Sequence, residues 1–332
     1  MRFWLLISVV FMLQGCDHSP ASLYLDYQKR LANVSNGTFT PPSALTPLPL
    51  ATKSKPEPQV TIGLLELSAI NHCPLSTLIA EHNSQLGKVA APSELFKYQL
   101  RFILQAPNCI ASLQGKQQPL ADKLEQALEA KKQHLLDYFN YMLYQEVEFR
   151  ALFSLANQGF SRELAGKEAA IEALAFFNRV KSKIIADSID NDDVNELTSQ
   201  LAKLHRNTYV KTLLTEAQRQ REFNLVTTAT LATLPIESRL CVKQRPSDTA
   251  QFMHNVFQKF YIGQLQPLQA DISGELQALL PLLYELYVQD AALSNQLNVE
   301  SKLSLLTQLK MSAKSHVEWW QSFYQRCAIK PY

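Results

Sequence analysis

Three groups of side chains in this sequence are of types that do chemistry. The first lies in "CPLSTLIAEHNSQLGKV", residues 73–89, where His82, Asn83, Ser84 and Lys88 gather between two apolar stretches. A histidine, a hydroxyl and an amine at that spacing could build an activated nucleophile or an anion cradle. They fit equally a helix that ends near His82, is capped by Asn83 and Ser84, and turns at Gly87. Polar clusters at helix ends are common, so these four residues are read as a candidate binding patch and not as a catalyst. The second group is Glu237-Ser238 in "PIESRLC", residues 235–241, one acid that could act on a glycosidic bond. The third is the set of five cysteines. No GxSxG, Walker loop, HExxH or GxGxxG occurs, and no Cys/His spacing suits zinc. No catalytic residue, metal or cofactor is therefore expected.

Glu237-Ser238 resembles the Glu-Ser pair of lytic transglycosylases, which cleave peptidoglycan with a single catalytic acid. That family continues shortly afterwards into a Gly-Leu-Met-Gln-like segment. Here "VKQRPSDTAQF" follows instead, so a catalytic role for Glu237 is not expected.

Cys16 answers a different question. Phe3 to Leu13 are almost wholly apolar, and Arg2 is the only charge before residue 17. Eleven residues of helix span only about 16 Å against a hydrocarbon core of ~30 Å. The run is therefore a signal peptide over 1–15 and not a membrane span. Leu13-Gln14-Gly15-Cys16 resembles a bacterial lipobox, which implies cleavage before Cys16 and attachment of lipid to its thiol as a thioether. The mature chain then sits on the periplasmic side of a bacterial membrane. Asp17 resembles the signal that retains lipoproteins in the inner membrane, which favours inner over outer.

Cys73, Cys109, Cys241 and Cys327 remain, an even number in an oxidising compartment. Three pairings are open. The sequence-local one, Cys73–Cys109 with Cys241–Cys327, is preferred.

These residues must be positioned by helices. Leu23, Tyr27, Leu31 and Val34 form a short apolar stripe, with Gly37 placed as its C-terminal cap. Residues 16–37 thus read as anchor cysteine plus one helix that packs on the body. Residues 38–61 hold six of the sixteen prolines, at 41, 42, 47, 49, 56 and 58. Such a segment cannot be helix. It is either a spacer lifting the body off the membrane or a strap along its surface, and Leu45, Leu48 and Leu50 suit a strap. From 62 to 332 helical periodicity dominates. Leu124, Leu128, Leu135, Phe139 and Met142 make one stripe; Val299, Leu303, Leu306, Ala313, Val317, Trp320, Tyr324 and Cys327 make another. "DSIDNDD", residues 187–193, reads as a helix–helix connection ending in an N-cap. "NLVTTATLATLP", residues 224–235, fits a strand or a frayed helix. Only nine glycines occur, few for a sheet-rich fold. The expected fold is mainly α, a helical bundle-like domain over 62–332, as one body or as lobes 62–189 and 190–332.

Residues 73–109, "CPLSTLIAEHNSQLGKVAAPSELFKYQL…NC", and 256–267, "VFQKFYIGQLQP", resemble an uncharacterised family of gammaproteobacterial lipoproteins. The resemblance implies an envelope location and also a Cys73–Cys109 bridge. It implies no activity. The formal net charge of +2 gives no basic face for nucleic acid. The expectation is a lipid-anchored, non-enzymatic binding or scaffolding protein, partnered by the membrane through its anchor and by an envelope protein or cell-wall component. The alternative is a peptidoglycan or ester hydrolase using Glu237, or His82 with Ser84.

Overall fold

A computed structural model describes residues 20–57 and 60–330. The expected signal peptide over 1–15, Cys16 and Asp17 lie outside the described residues. The described chain is mainly helical and contains no strand. A first helix, α1 (Pro20–Ser35), precedes the proline-rich segment. Then follow α2 (Leu64–Ala69), α3 (Pro74–Asn83), α4 (Gln85–Lys88), α5 (Pro92–Leu113), α6 (Gln118–Gln133), α7 (Leu135–Gln145) and α8 (Val147–Leu152). The second half carries α9 (Lys167–Ile185), α10 (Asn191–Leu204), α11 (Tyr209–Ala232), α12 (Asp248–Val256), α13 (Gln266–Tyr287), α14 (Ala291–Leu297) and α15 (Leu305–Cys327). Two π-helical segments, Ile236–Leu240 and Phe257–Leu265, and a 3-10 turn, Val242–Gln244, complete the order, and the second π-helical segment joins α12 to α13.

The apolar side chains form three clusters. The largest takes residues from both sides of position 190, with Phe96, Phe139 and Phe177 facing Val210, Leu280 and Leu309. A second unites α1 with the π-helical 257–265 segment and the end of α15, around Tyr24, Tyr27, Phe257 and Trp320. A third packs α3 on α5 and α6 and encloses Cys73 and Cys109. Both sequence-local cysteine pairs sit at disulfide distance, with Cα separations of 5.7 Å for Cys73–Cys109 and 5.0 Å for Cys241–Cys327.

Several expectations about the elements need correction. The 124–142 stripe does not belong to one helix. The helix breaks at His134, so Leu124 enters the third cluster while Leu135, Phe139 and Met142 enter the first. Val299 and Leu303 are not on the final helix; they lie in the turns before it, and Leu303 is 62 % exposed. The left-handed residue after α1 is Asn36 (φ 52°), not Gly37, whose N–H donates to the Ser35 hydroxyl. "NLVTTATLATLP" is neither strand nor frayed. Residues 224–232 complete the 24-residue α11, where the Thr228 and Thr230 hydroxyls donate to the carbonyls four residues back. Asp190 is the N-cap of the 187–193 connection, accepting from the N–H groups of Asp192 and Asp193.

The proline-rich segment lies on the body as a strap. Leu48 is buried in the largest cluster. Gln145 donates to the Lys53 carbonyl at 2.6 Å, and the Ala51 N–H reaches the Asp290 carboxylate at 3.4 Å.

Candidate functional site

The candidate patch at residues 82–88 is taken up by local structure. The Ser84 hydroxyl donates to the Glu81 carbonyl at 2.7 Å and accepts the Gly87 N–H at 3.1 Å. Ser84 therefore ends α3 and caps α4. The His82 ring stacks on Tyr98 at 3.8 Å. On the other hand, the Lys131 ammonium lies 4.6 Å from that same Tyr98 ring and donates to Gln99. Burial, with the charges of Lys131 and Lys55, lowers the His82 pKa to about 4. The ring is thus neutral at pH 7 but is placed beside an aromatic and not beside the Ser84 hydroxyl. Asn83 and Lys88 are exposed. Gly87 is helical, and a methyl group there would meet the Glu81 and His82 carbonyl oxygens at 2.4 and 2.2 Å. Gly87→Ala is expected to displace α4 and to cost about 1–3 kcal/mol. Thermal unfolding, with proteolysis mapped to residues 84–90, checks this.

Glu237 is no better placed for catalysis. It stands on the first π-helical segment with a side chain 77 % exposed, 3.6 Å from the Arg326 guanidinium. Among the described residues no group of three His, Cys, Asp or Glu side chains is arranged to hold a metal ion.

The site that the structure does assemble was not visible in the sequence. A cleft of about 1040 Å³ opens between the start of α1, the 157–162 loop, α11 and the junction of the π-helical segment with α13. Asn157, Gln158 and Ser161 reach it from the loop, and Gln264 from the π-helical segment. The π-helical winding inserts extra residues into a long helix. Within it, Tyr261 turns inward to donate to Gln269 while Gly263 and Gln264 face the cleft.

Two arginines line the cleft, each tied to a carboxylate. Arg162 donates to Asp271 at 2.7 Å, and both are largely exposed. Arg219 donates to Glu216 at 2.6 Å. The Glu216 side chain is only 1 % exposed and also accepts from Gln220. Burial pushes the Glu216 carboxyl above its ordinary range, and Arg219 pulls it partly back. Glu216 therefore faces the interior while Arg219 presents its remaining N–H donors. The arrangement offers hydrogen bonds of both senses from amides, a hydroxyl and guanidinium groups. It offers no carboxylic acid in contact with the cleft at Glu216.

A buried polar seam joins five elements: α1, α11, the second π-helical segment, α13 and α15. Tyr27 contacts the His316 Nε2 at 2.9 Å, and the Trp320 indole N–H donates to the Tyr27 oxygen at 3.1 Å. His316 Nδ1 lies 2.8 Å from the Thr228 oxygen. The Thr228 proton is committed to the Asn224 carbonyl. His316 must therefore carry its proton on Nδ1 and accept on Nε2. Gln269 links Tyr24, Asn224 and Tyr261, and Gln28 donates to Thr227. This seam fixes α1 against α11 and α15, and so fixes the cleft wall that α1 supplies.

Fold and site together define an all-α protein, with two cysteine pairs at disulfide distance and a hydrogen-bonding cleft lined by amides and two carboxylate-paired arginines. The chain belongs to the family of proteins of unknown function DUF3080, whose model matches residues 25–331, nearly the whole length. No curated protein and no solved structure matches it.

Proposed function

We propose that this chain is a lipid-anchored protein of the bacterial envelope, attached through Cys16 on the periplasmic side, that binds a hydroxyl-rich ligand such as a cell-wall glycan without transforming it. The observation that carries the binding reading is the lining of the cleft. Amide side chains and paired arginines match the alternating donors and acceptors of a saccharide, and Phe160 and Leu268 give its walls an apolar share. Sealing Glu216 behind Arg219 leaves that carboxyl out of reach of a bound ligand. The anchor rests on the lipobox-like Leu13-Gln14-Gly15-Cys16 and on the envelope resemblance.

Calorimetric titration of the unlipidated Cys16→Ser protein with soluble cell-wall fragments tests the binding reading. Micromolar to millimolar affinity is expected. The double variant Gln158→Ala/Gln264→Ala is expected to weaken it at least tenfold with an unchanged melting temperature, since both residues are exposed. Equal affinity in the variant would remove the cleft from the proposal. Zymography on cell-wall material addresses the hydrolase alternative, which a clearing band lost in Glu237→Gln or Ser84→Ala would establish.

A further inference from the structure

We propose that the ligand of this cleft is the saccharide head of a molecule that itself resides in the membrane, a glycan carried on a lipid. This rests on the binding reading above and on the anchor at Cys16, and deepens both.

The argument is one of reach. Ala21 and Leu23 line the cleft, and Ala21 follows Cys16 by five residues. An extended chain covers at most 3.3–3.6 Å per residue, so the backbone at the cleft edge lies within about 18 Å of the Cys16 backbone. No later segment can lift it away. The proline-rich strap comes after α1, and α1 is already locked into the body with Tyr24, Tyr27 and Leu31 buried. A spacer downstream of a docked helix adds no height, and the strap is itself laid down on the surface by Leu48 and Gln145.

The lining is mixed: Phe160, Pro267 and Leu268 are apolar beside the amides and the hydroxyl. The wall supplied by the first turn of α1, nearest the anchor, is apolar: Ala21 and Leu23. Asn157, Gln158, Ser161 and Gln264 come from parts of the chain remote from the anchor in sequence. An apolar edge next to the anchor, beside polar groups on the other walls, suits an amphiphile whose lipid part stays in the bilayer and whose head rises into the cleft. A strongly anionic head fits less well, because Arg162 and Arg219 are each already matched by a carboxylate.

The test uses full-length, lipidated protein in phospholipid vesicles, with amide hydrogen exchange of residues 157–162 as the readout. One set of vesicles contains the saccharide-bearing fraction of a bacterial envelope lipid extract and the other its saccharide-free fraction. A third sample receives plain vesicles with the water-soluble saccharides released from the first fraction. Exchange is expected to slow several-fold with the saccharide-bearing vesicles alone, and the slowing is expected to vanish in Gln158→Ala/Gln264→Ala. Equal slowing by the released saccharides would overturn the membrane-resident ligand while keeping the cleft. No slowing in any sample would overturn both. Flotation of the same protein with and without Cys16→Ser reads the anchor separately. If the wild type does not float with the vesicles, the geometric argument fails whatever the exchange shows.

Discussion

Deletion of residues 315–332 is expected to leave no folded body. The final helix is an internal strut, not an appendage. Trp320, Phe323 and Cys327 are fully buried, and Leu305, Leu306 and Leu309 extend the same face into the largest cluster. The deletion removes Trp320 from its stack on Phe257 at 4.4 Å and takes His316 out of the polar seam. It also cuts the Cys241–Cys327 link. Loss of one buried aromatic costs about 3–5 kcal/mol. Closure of the 86-residue loop is worth roughly 4–5 kcal/mol in the chain-entropy account. Whole domains are stable by only about 5–15 kcal/mol. The competing idea, an exposed helix with Trp319 and Trp320 as anchors for a partner, conflicts with Trp320 being 0 % exposed. Trp319 is half-buried and stacks on Phe323 at 5.4 Å, so Trp319→Ala is expected to cost less than Trp320→Ala. Soluble yield and limited proteolysis of the truncated chain decide the matter. A truncated protein with the melting temperature of the full chain would show that α15 is an interface.

Much of the framework was legible because it obeys simple periodicities. The stripe through Tyr27 and Leu31, the cap at Asp190, and the stripe that carries Trp320 and Cys327 inward all follow from apolar spacing and short polar side chains at helix ends. What escaped was where apolar spacing stops being the rule. The inner face of α11 carries Thr212, Thr215, Glu216, Gln220, Asn224 and Thr227, all buried. Read as hydrophobicity, that face has no stripe. Partners for part of that face come from elsewhere in the fold: Gln28 of α1 on Thr227, Gln269 of α13 and Ser312 of α15 on Asn224, and the Ala156 N–H on Thr215, which a linear reading cannot foresee.

The cleft was hidden for a related reason. Its polar lining comes from residues 157–162, Arg219 and residues 263–264, brought together only by the packing of α1, α11 and the π-helical segment. Two local hints existed. "NQGFSR" is a polar, glycine-containing loop between helices, and Glu216 with Arg219 interrupts an apolar run at Leu213, Leu214 and Ala217. The 82–88 cluster attracted attention instead because its polar residues are contiguous. In the fold that contiguity serves the junction of α3 and α4.

The protein is expected to lose stability as the pH falls from 6.5, well before ordinary carboxylates titrate. Burial lowers the His316 pKa to about 3, against about 6.5 in an unfolded chain. Its surroundings agree with that direction. The Nε2 atom faces the Tyr27 hydroxyl and the Trp320 N–H, so a second ring proton would find donors where it needs acceptors. Between pH 6.5 and 3 the unfolded state therefore binds the proton that the folded state refuses. The stabilising contribution is complete above pH 6.5 and drains as the pH drops through that window. At 1.36 kcal/mol per unit, His316 alone accounts for about 2 kcal/mol between pH 6.5 and 5. Burial shifts His254 the same way. Glu216 works in the opposite sense: its raised pKa favours the folded state at low pH, and that advantage is lost as the pH rises above the ordinary carboxyl range. Replacing His316 by glutamine should lower stability at pH 7, where hydrogen bonds to Thr228 and Tyr27 are lost, yet flatten the curve below 6.5. Melting temperatures measured from pH 7.5 to 4.5 for the wild type, His316→Gln and Glu216→Gln separate the contributions. A wild-type curve that stays level down to pH 5, or a His316→Gln curve parallel to it, would mean that the buried ring takes up its proton without opposing the fold.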